Sequence, residues 1–448
     1  MRPKPVSYAS DTINREKKML RIIRSSDAKS LDRVFRARKM RLEAAEPAVR
    51  RILDDVRRQG DRALVRYTRR FDGVDLDEAG FTVSAQQIRE AYHHVPRDFV
   101  RALGLAARNI RAMAARQLPR PWHASNGAGT RVAQAVRPLA RVACYVPGGR
   151  FPLPSTVLMS VIPAQVAGVR DIVITSPRPA PAVLVAADFL KVREVFRLGG
   201  AQAIAAFAYG TQSVPRADKI VGPGNRFVAA AKKLVAGECG IDFVAGPTEL
   251  VVVGSQGQPA LIAADLVAQA EHDPDAVAIL MTPSSRLALQ VQASVGTILG
   301  ELAGEDAVSV ANARKSLARQ GAIIVTRDLI EAVDLVNRFA PEHLTLLDGA
   351  VGLLERVKSA GSIFLGDYSA VAAGDYASGT NHILPTGGAA RLRGGLSAAD
   401  FVKTISVQRL NRGGLARLRR AIVTLATVEG LKAHAYSIET RLNAKSDK

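Results

Sequence analysis

Two histidine-bearing segments and a polar loop hold most of the chemistry available to this chain. Gln269-Ala-Glu-His272 stands directly before Asp273-Pro274, at the end of a helical pattern. Residues three apart share a helix face, so an amide oxygen and an imidazole project together. Such a pair suits zinc or a similar ion. The same histidine also serves equally as a helix cap or a packed side chain. Pro274 cannot continue the helix, which puts His272 in its last turn. Pro341-Glu-His-Leu344 sets an acid beside a base, on what must be a turn after the preceding helix. Two such groups either exchange protons with a substrate or are chance neighbours. Gly374-Asp375-Tyr-Ala-Ser-Gly-Thr-Asn-His382-Ile-Leu-Pro-Thr386 is a long run of turn formers. Its apolar flanks, Ile363-Phe-Leu365 and Ile383-Leu384, mark a functional loop rather than a disordered one. Glu429-Gly-Leu-Lys-Ala-His434 lies far down the tail. Zinc takes about four ligands from such side chains, with water or substrate in an open position. Gln269, His272, Asp375 and His434 make one such set from three remote segments, though spacing alone does not bring them together.

These segments need a scaffold, and the middle of the chain reads as an α/β one. Val142–Val146, Ile172–Thr175, Leu250–Val253, Val277–Met281 and Ile323–Val325 are short apolar runs of buried-strand type. Ser155–Val169, Ala182–Leu190, Phe227–Val235, Ala260–His272 and Leu329–Phe339 are the helical patterns between them. The alternation implies βαβ units and parallel sheets, in two blocks near 142–247 and 248–366. Residues 31–116 are helical and heavily charged, Met19-Leu-Arg-Ile-Ile is strand-like, and the tail after Gly387 returns to basic helical sequence. No G-x-G-x-x-G joins a strand to a helix. Pro147-Gly-Gly149, Gly199-Gly200 and Gly222-Pro-Gly-Asn225 each follow an apolar run and precede a helix. Each is either an ordinary tight turn or a phosphate-facing edge. Three at one edge point to a ligand cleft.

Length, charge and cysteine usage bound the alternatives. A chain of 448 residues exceeds one core, so at least two domains are expected. Two cysteines, Cys144 and Cys239, exclude a disulfide framework and fit a reducing cytoplasm. No apolar run reaches the ~20 residues of a membrane span, and the N-terminus lacks a secretory core. The net charge of +21 sits at the ends. Residues 1–70 hold 21 Lys/Arg against 9 Asp/Glu, and residues 387–448 hold 12 against 4. With 5% aromatic residues and no nucleic-acid module, these ends read as solvated helix faces rather than a specific nucleic-acid surface.

Over roughly residues 19–440 the chain resembles the histidinol dehydrogenase family of NAD-dependent zinc enzymes. The resemblance rests on Tyr145-Val-Pro-Gly-Gly149, Gly199-Gly-Ala-Gln-Ala-Ile204, Gly222-Pro-Gly-Asn225, Ala245-Gly-Pro-Thr-Glu249, Gln269-Ala-Glu-His272, Pro341-Glu-His-Leu344, Gly374–Thr386 and Gly395-Leu-Ser, in the family's order. It implies four-electron oxidation of L-histidinol through L-histidinal to L-histidine, the last step of histidine biosynthesis. Gln269, His272 and Asp375 would hold one zinc per subunit, with His434 arriving from the partner of a homodimer. Tyr145, Gln202 and Asn225 would contact NAD. His343 would be the general base and Glu342 would activate water. Thr248, His382 and Glu429 would join the zinc ligands and the catalytic pair around the substrate. The alternative is a relative that oxidises another small alcohol, such as a sulfonated propanediol. Glu429 favours histidinol, because a carboxylate suits a cationic amine and repels a sulfonate.

The resemblance also implies a domain plan. Two incomplete Rossmann-like parallel-sheet domains would carry small helical segments at both ends that exchange in a dimer. Residues 1–18 would be a disordered basic extension, which makes Met19 a second candidate start. Residues 19–41 would form an N-terminal dimerisation segment. Residues 42–144 with 248–386 would make the catalytic domain, 145–247 the NAD domain, and 387–448 a helical dimerisation tail.

Overall fold

A computed structural model describes residues 20–38, 42–148, 152–304 and 306–444. The expected extension over 1–18, and Gly149 of the first glycine turn, lie outside them. The strands in chain order are β1 (Arg21–Arg24), β2 (Trp122–Ser125), β3 (Thr130–Pro138), β4 (Arg141–Tyr145), β5 (Asp171–Thr175), β6 (Glu194–Phe196), β7 (Lys219–Val221), β8 (Gly240–Ile241), β9 (Glu249–Val253), β10 (Val277–Thr282), β11 (Ala322–Val325), β12 (His343–Leu346), β13 (Ser362–Leu365) and β14 (Val402–Leu410).

Two of the three sheets are wholly parallel. One runs β6-β5-β4-β7-β8 and the other β1-β11-β10-β9-β12-β13. From its first internal strand each follows the doubly wound order 3-2-1-4-5, so both are Rossmann-like and lack the sixth strand of the full pattern. In the second sheet β1 fills the far edge. The strands are apolar and buried on both faces, as in β9 and β10, where every residue is buried. That is what crossover helices on both sides of a parallel sheet require.

The cores divide the chain differently from the expected plan. Helices Glu46–Gln59 and Asp61–Asp72 bury Val49, Ile52, Leu53, Val56 and Leu64 with Ala143, Val173 and Phe207 of the five-stranded unit. Helix Arg97–Gln117 buries Leu103 and Ile110 with Val142 and Ile174 on the other face of that sheet. Residues 46–117 therefore pack largely on 141–241, while Asn109 also donates to the Ala377 carbonyl and Ile383 joins the core of Leu103 and Ile110. The N-terminal segment joins the six-stranded unit. β1 pairs with β11, and Leu31 and Val34 of helix Ala28–Ala37 enter the core of the six-stranded unit.

The tail departs from its helical reading. Before helices Arg412–Val428 and Lys432–Asn443 it forms β14, which pairs antiparallel with β3, and β3 pairs with β2. These strands are mostly exposed, so their period-2 alternation was the available signal and no apolar run announced them. Among the described residues no helix is long and apolar enough to cross a membrane.

Candidate active site

A cleft of about 890 Å³ lies between the two parallel sheets. From the five-stranded unit it takes Thr156 and the Pro223–Phe227 turn; from the six-stranded unit it takes Thr248, Gln269, His272, Glu342, His343, Asp375 and His382. On the five-stranded side it lies beyond the carboxyl ends of β4 and β7, where strand order reverses, the usual ligand position of such sheets. On the other side it faces the amino ends of β9 and β12, opposite to that rule.

The turn after β7 packs closely on the end of β4 and presents Pro223–Phe227 to the cleft. Gly222 has φ +113°, and a Cβ there would stand 2.1 Å from the Tyr145 carbonyl oxygen. Lys232 and Asp242 form a buried ion pair that brackets this residue. Lys232 Nζ donates to the Gly222 carbonyl (2.9 Å), and the Gly222 N–H donates to Asp242 Oδ2 (2.8 Å). Asn225 lines the cleft and caps helix Arg226–Val235, accepting from the N–H groups of Phe227 and Val228. The other two expected NAD contacts lie deeper. The Tyr145 hydroxyl accepts from the Gly200 N–H (3.1 Å), and burial pushes it up to about 12. Gln202 is fully buried and donates to Asp72 Oδ2 (3.0 Å). Neither lines the cleft wall.

The catalytic side is built on β9 and β12. Glu342-His343 was expected on a turn; His343 instead opens β12, between Leu250 of β9 and Ser362 of β13. The Pro341 stop was read correctly, but the buried Leu344-Thr-Leu346 that follows makes the segment a central strand. The His343 Nδ1–H donates to the Glu249 carbonyl (3.1 Å). That leaves Nε2 as the ring nitrogen on the cleft side. It is buried, has no hydrogen-bond partner among the described residues, and faces Asp375 Oδ1 at 3.5 Å. Burial alone would lower this imidazole, but the carboxylates of Glu342 and Asp375 override it and raise it to about 9. Glu342 Oε2 accepts from the Thr248 hydroxyl (2.6 Å) and the Glu249 N–H (2.8 Å). Burial raises the Glu342 carboxyl against these bonds and the neighbouring imidazole.

The expected metal ligands meet at the cleft, save one. Helix Pro259–Glu271 ends at His272, its C-cap. The His272 Nδ1–H points to the Ala268 carbonyl (3.0 Å), leaving Nε2 free as a donor atom. Gln269 Nε2 donates to Thr248 Oγ1 (2.6 Å), which turns its Oε1 to the other side. Asp375 sits in the short helix Val371–Tyr376, not in open loop. Burial pushes its carboxyl up, but the imidazoles of His343, His382 and His272 hold it below its ordinary value. His382 is fixed by Asp375 O (2.8 Å) and Thr156 Oγ1 (3.3 Å), and burial lowers it from the ordinary imidazole value. Among the described residues no group of three or more His, Cys, Asp or Glu is placed to hold a metal ion. One amide oxygen, one imidazole and one carboxylate remain, an open set one ligand short of zinc's usual four. Glu429 and His434 are exposed on the helical tail and do not line this chain's cleft.

The histidinol dehydrogenase family model matches residues 35–442. The chain is 48% identical to the histidinol dehydrogenase of Syntrophotalea carbinolica over 89% of its length and 93% of that protein's. The chain belongs to the histidinol dehydrogenase family. A second relative, the histidinol dehydrogenase of Methanothermobacter thermautotrophicus, is 47% identical over 87% of this chain and 92% of that one. The crystal structure of histidinol dehydrogenase from Elizabethkingia anophelis superposes with a TM-score of 0.89 at 33% identity, covering 95% of this chain and 98% of that one. The activity is accordingly that of an NAD-dependent oxidoreductase of histidine biosynthesis. Sequence reading missed Glu249, whose backbone touches both members of the Glu342-His343 pair; its place beside Thr248 was the only signal.

Proposed function

We propose that the cleft oxidises L-histidinol to L-histidine in two hydride transfers, with His343 as general base and Glu342 activating water. The observation that carries this reading is the His343 geometry: Nδ1 is tied to backbone, and Nε2 is free at the cleft. In the first step Nε2 takes the alcohol proton as hydride leaves the carbinol carbon for NAD, giving the aldehyde. Glu342 then takes a proton from water, and the hydroxide oxygen bonds to the aldehyde carbon. The adduct takes a proton to become the hydrate, and His343 releases its own to solvent. The hydrate then gives its hydride to a second NAD as one hydroxyl proton passes to His343 Nε2. The acid so formed loses its remaining proton to water to leave the carboxylate. Burial of Glu342 makes it the stronger base for this task. Holding the aldehyde in the cleft between steps would protect it from side reactions.

Gln269, His272 and Asp375 would hold zinc, with His434 from a second copy of the chain as the fourth ligand. When bound, the ion supplies a Lewis-acid template for the substrate's imidazole and amine. It also offsets the Asp375 charge, which lowers His343 toward the range of a useful base. NAD would lie along the Gly222–Asn225 turn, with Tyr145 and Gln202 shaping the adjoining edge. Thr248 and His382 would line the substrate pocket, with Glu429 reaching in from the second copy. The homodimer is supported by the exposed apolar side chains of the tail, Leu425, Val428 and Tyr436, which a lone chain leaves in water. The composition fits a cytoplasmic enzyme.

The test is steady-state turnover of the zinc-loaded protein. Two NADH per L-histidinol, with no turnover of a sulfonated propanediol, is the expected result. The reverse preference would overturn the substrate assignment.

A further inference from the structure

Behind the catalytic pair lies a charged pair that the reaction does not use. Arg38 Nη1 donates to both carboxylate oxygens of Glu249, at 3.2 and 3.1 Å. Both side chains are almost fully buried (6% and 0% exposed). The Gly387 N–H donates to the same carboxylate at 2.9 Å. Arg38 Nη2 donates to the Phe339 carbonyl, and the guanidinium carbon stacks on the Phe339 ring, 3.8 Å from its centroid. Phe339 is the last residue of the helix that leads into Pro341-Glu342-His343.

We infer that the Arg38–Glu249 pair is a positioning device for the two catalytic side chains. The Glu249 backbone touches both of them, through the two peptide units that meet at its Cα. Its N–H donates to Glu342 Oε2 (2.8 Å), and its carbonyl accepts from His343 Nδ1 (3.1 Å). A shift of the Glu249 Cα would move the water-activating carboxylate and the base together. The Glu249 side chain, on that same Cα, is held from two directions by Arg38 and Gly387 through charge-assisted bonds that oppose such a shift. Gly387 directly follows the loop that carries His382, so the same carboxylate also ties down that wall. Stability alone is a poor reason for the arrangement, because a buried ion pair is often no better than an apolar pair of similar size. Geometry is the better reason, since a misplacement of about 1 Å at reacting groups costs on the order of 10²-fold in rate.

Arg38 and Glu249 touch no reacting atom, and the inference rests on the roles given to Glu342 and His343. It is tested on zinc-loaded enzyme with Arg38→Met, Arg38→Lys and Glu249→Gln, with His343→Asn measured in parallel. The expected result for Arg38→Met and Glu249→Gln is a kcat roughly 10- to 100-fold lower per zinc-loaded site. KM for L-histidinol should stay within about twofold, and Arg38→Lys should recover part of the loss. If Arg38→Met fails to fold, Arg38→Lys and Glu249→Gln carry the same comparison. A drop in melting temperature with unchanged kcat per zinc-loaded site means a purely structural pair and overturns the inference. If His343→Asn itself keeps full turnover, the reading of the site falls and this inference with it. If only His343→Asn loses activity, the inference alone falls.

Discussion

His343→Asn separates the chemistry of the imidazole from its place in the sheet. The asparagine amide nitrogen reproduces the position of Nδ1, so the Glu249 carbonyl keeps its donor. What disappears is Nε2, the atom that faces the cleft without a partner among the described residues. Removal of a general base costs about 10²–10⁴ in rate, or roughly 3–5 kcal/mol of barrier. The structure selects the upper half of that range, because no other base stands ready. Glu342 Oε2 lies 3.6 Å from Nδ1, on the wrong side of the ring, and Asp375 on the Nε2 side is assigned to the metal. Single-turnover NADH formation from L-histidinol, with zinc content and melting temperature measured on the same sample, isolates the effect. A rate within tenfold of wild type in a folded, zinc-loaded variant would refute His343 as the base.

Three further outcomes follow from other parts of the molecule. Thr248→Val removes the hydroxyl that donates to Glu342 and accepts from Gln269; a lost bond to a charged group is worth about 1.5–3 kcal/mol. Oxidation of L-histidinal should therefore fall about 10- to 100-fold, more than oxidation of L-histidinol, in separate half-reaction assays. Asp265, half-buried in helix Pro259–Glu271, is raised by burial to about 6. Its ionisation costs the native state stability as pH rises from about 4 to about 6, so Asp265→Asn should raise the melting temperature at pH 8 and give no gain near pH 4. Finally, mixing inactive His343→Asn and His434→Asn proteins and letting subunits exchange should restore about a quarter of wild-type activity, since only mixed dimers hold one intact site. No recovery despite proven exchange would place His434 outside a shared site.

The parallel core was the legible part of the fold. β4, β5, β9, β10 and β11 fall within a residue or two of the apolar runs that suggested them, because a strand buried on both faces has no polar positions to blur it. β2, β3 and β14 went unread because exposed antiparallel strands carry no such run. The division of the helices was hidden for another reason. Helices 46–59 and 97–117 are amphipathic, but an apolar stripe does not say which of two sheets it will cover.

For the site, the chain by itself determined the inventory. It holds an amide and an imidazole one helical turn apart, an acid beside a base after a proline, and a polar loop with Asp375 and His382. Types and spacing set which reactions are available, and they are local properties. Tertiary structure decided what those groups are. The head of β12, with Nδ1 held by the Glu249 carbonyl, fixes the His343 ring with Nε2 as its one nitrogen free of a hydrogen bond among the described residues. Desolvation raises Glu342, and three imidazoles hold Asp375 ionised. Those effects depend on distance and dielectric rather than on order along the chain, so Arg38, which lies 211 residues from Glu249, could be found only once the two were seen in contact.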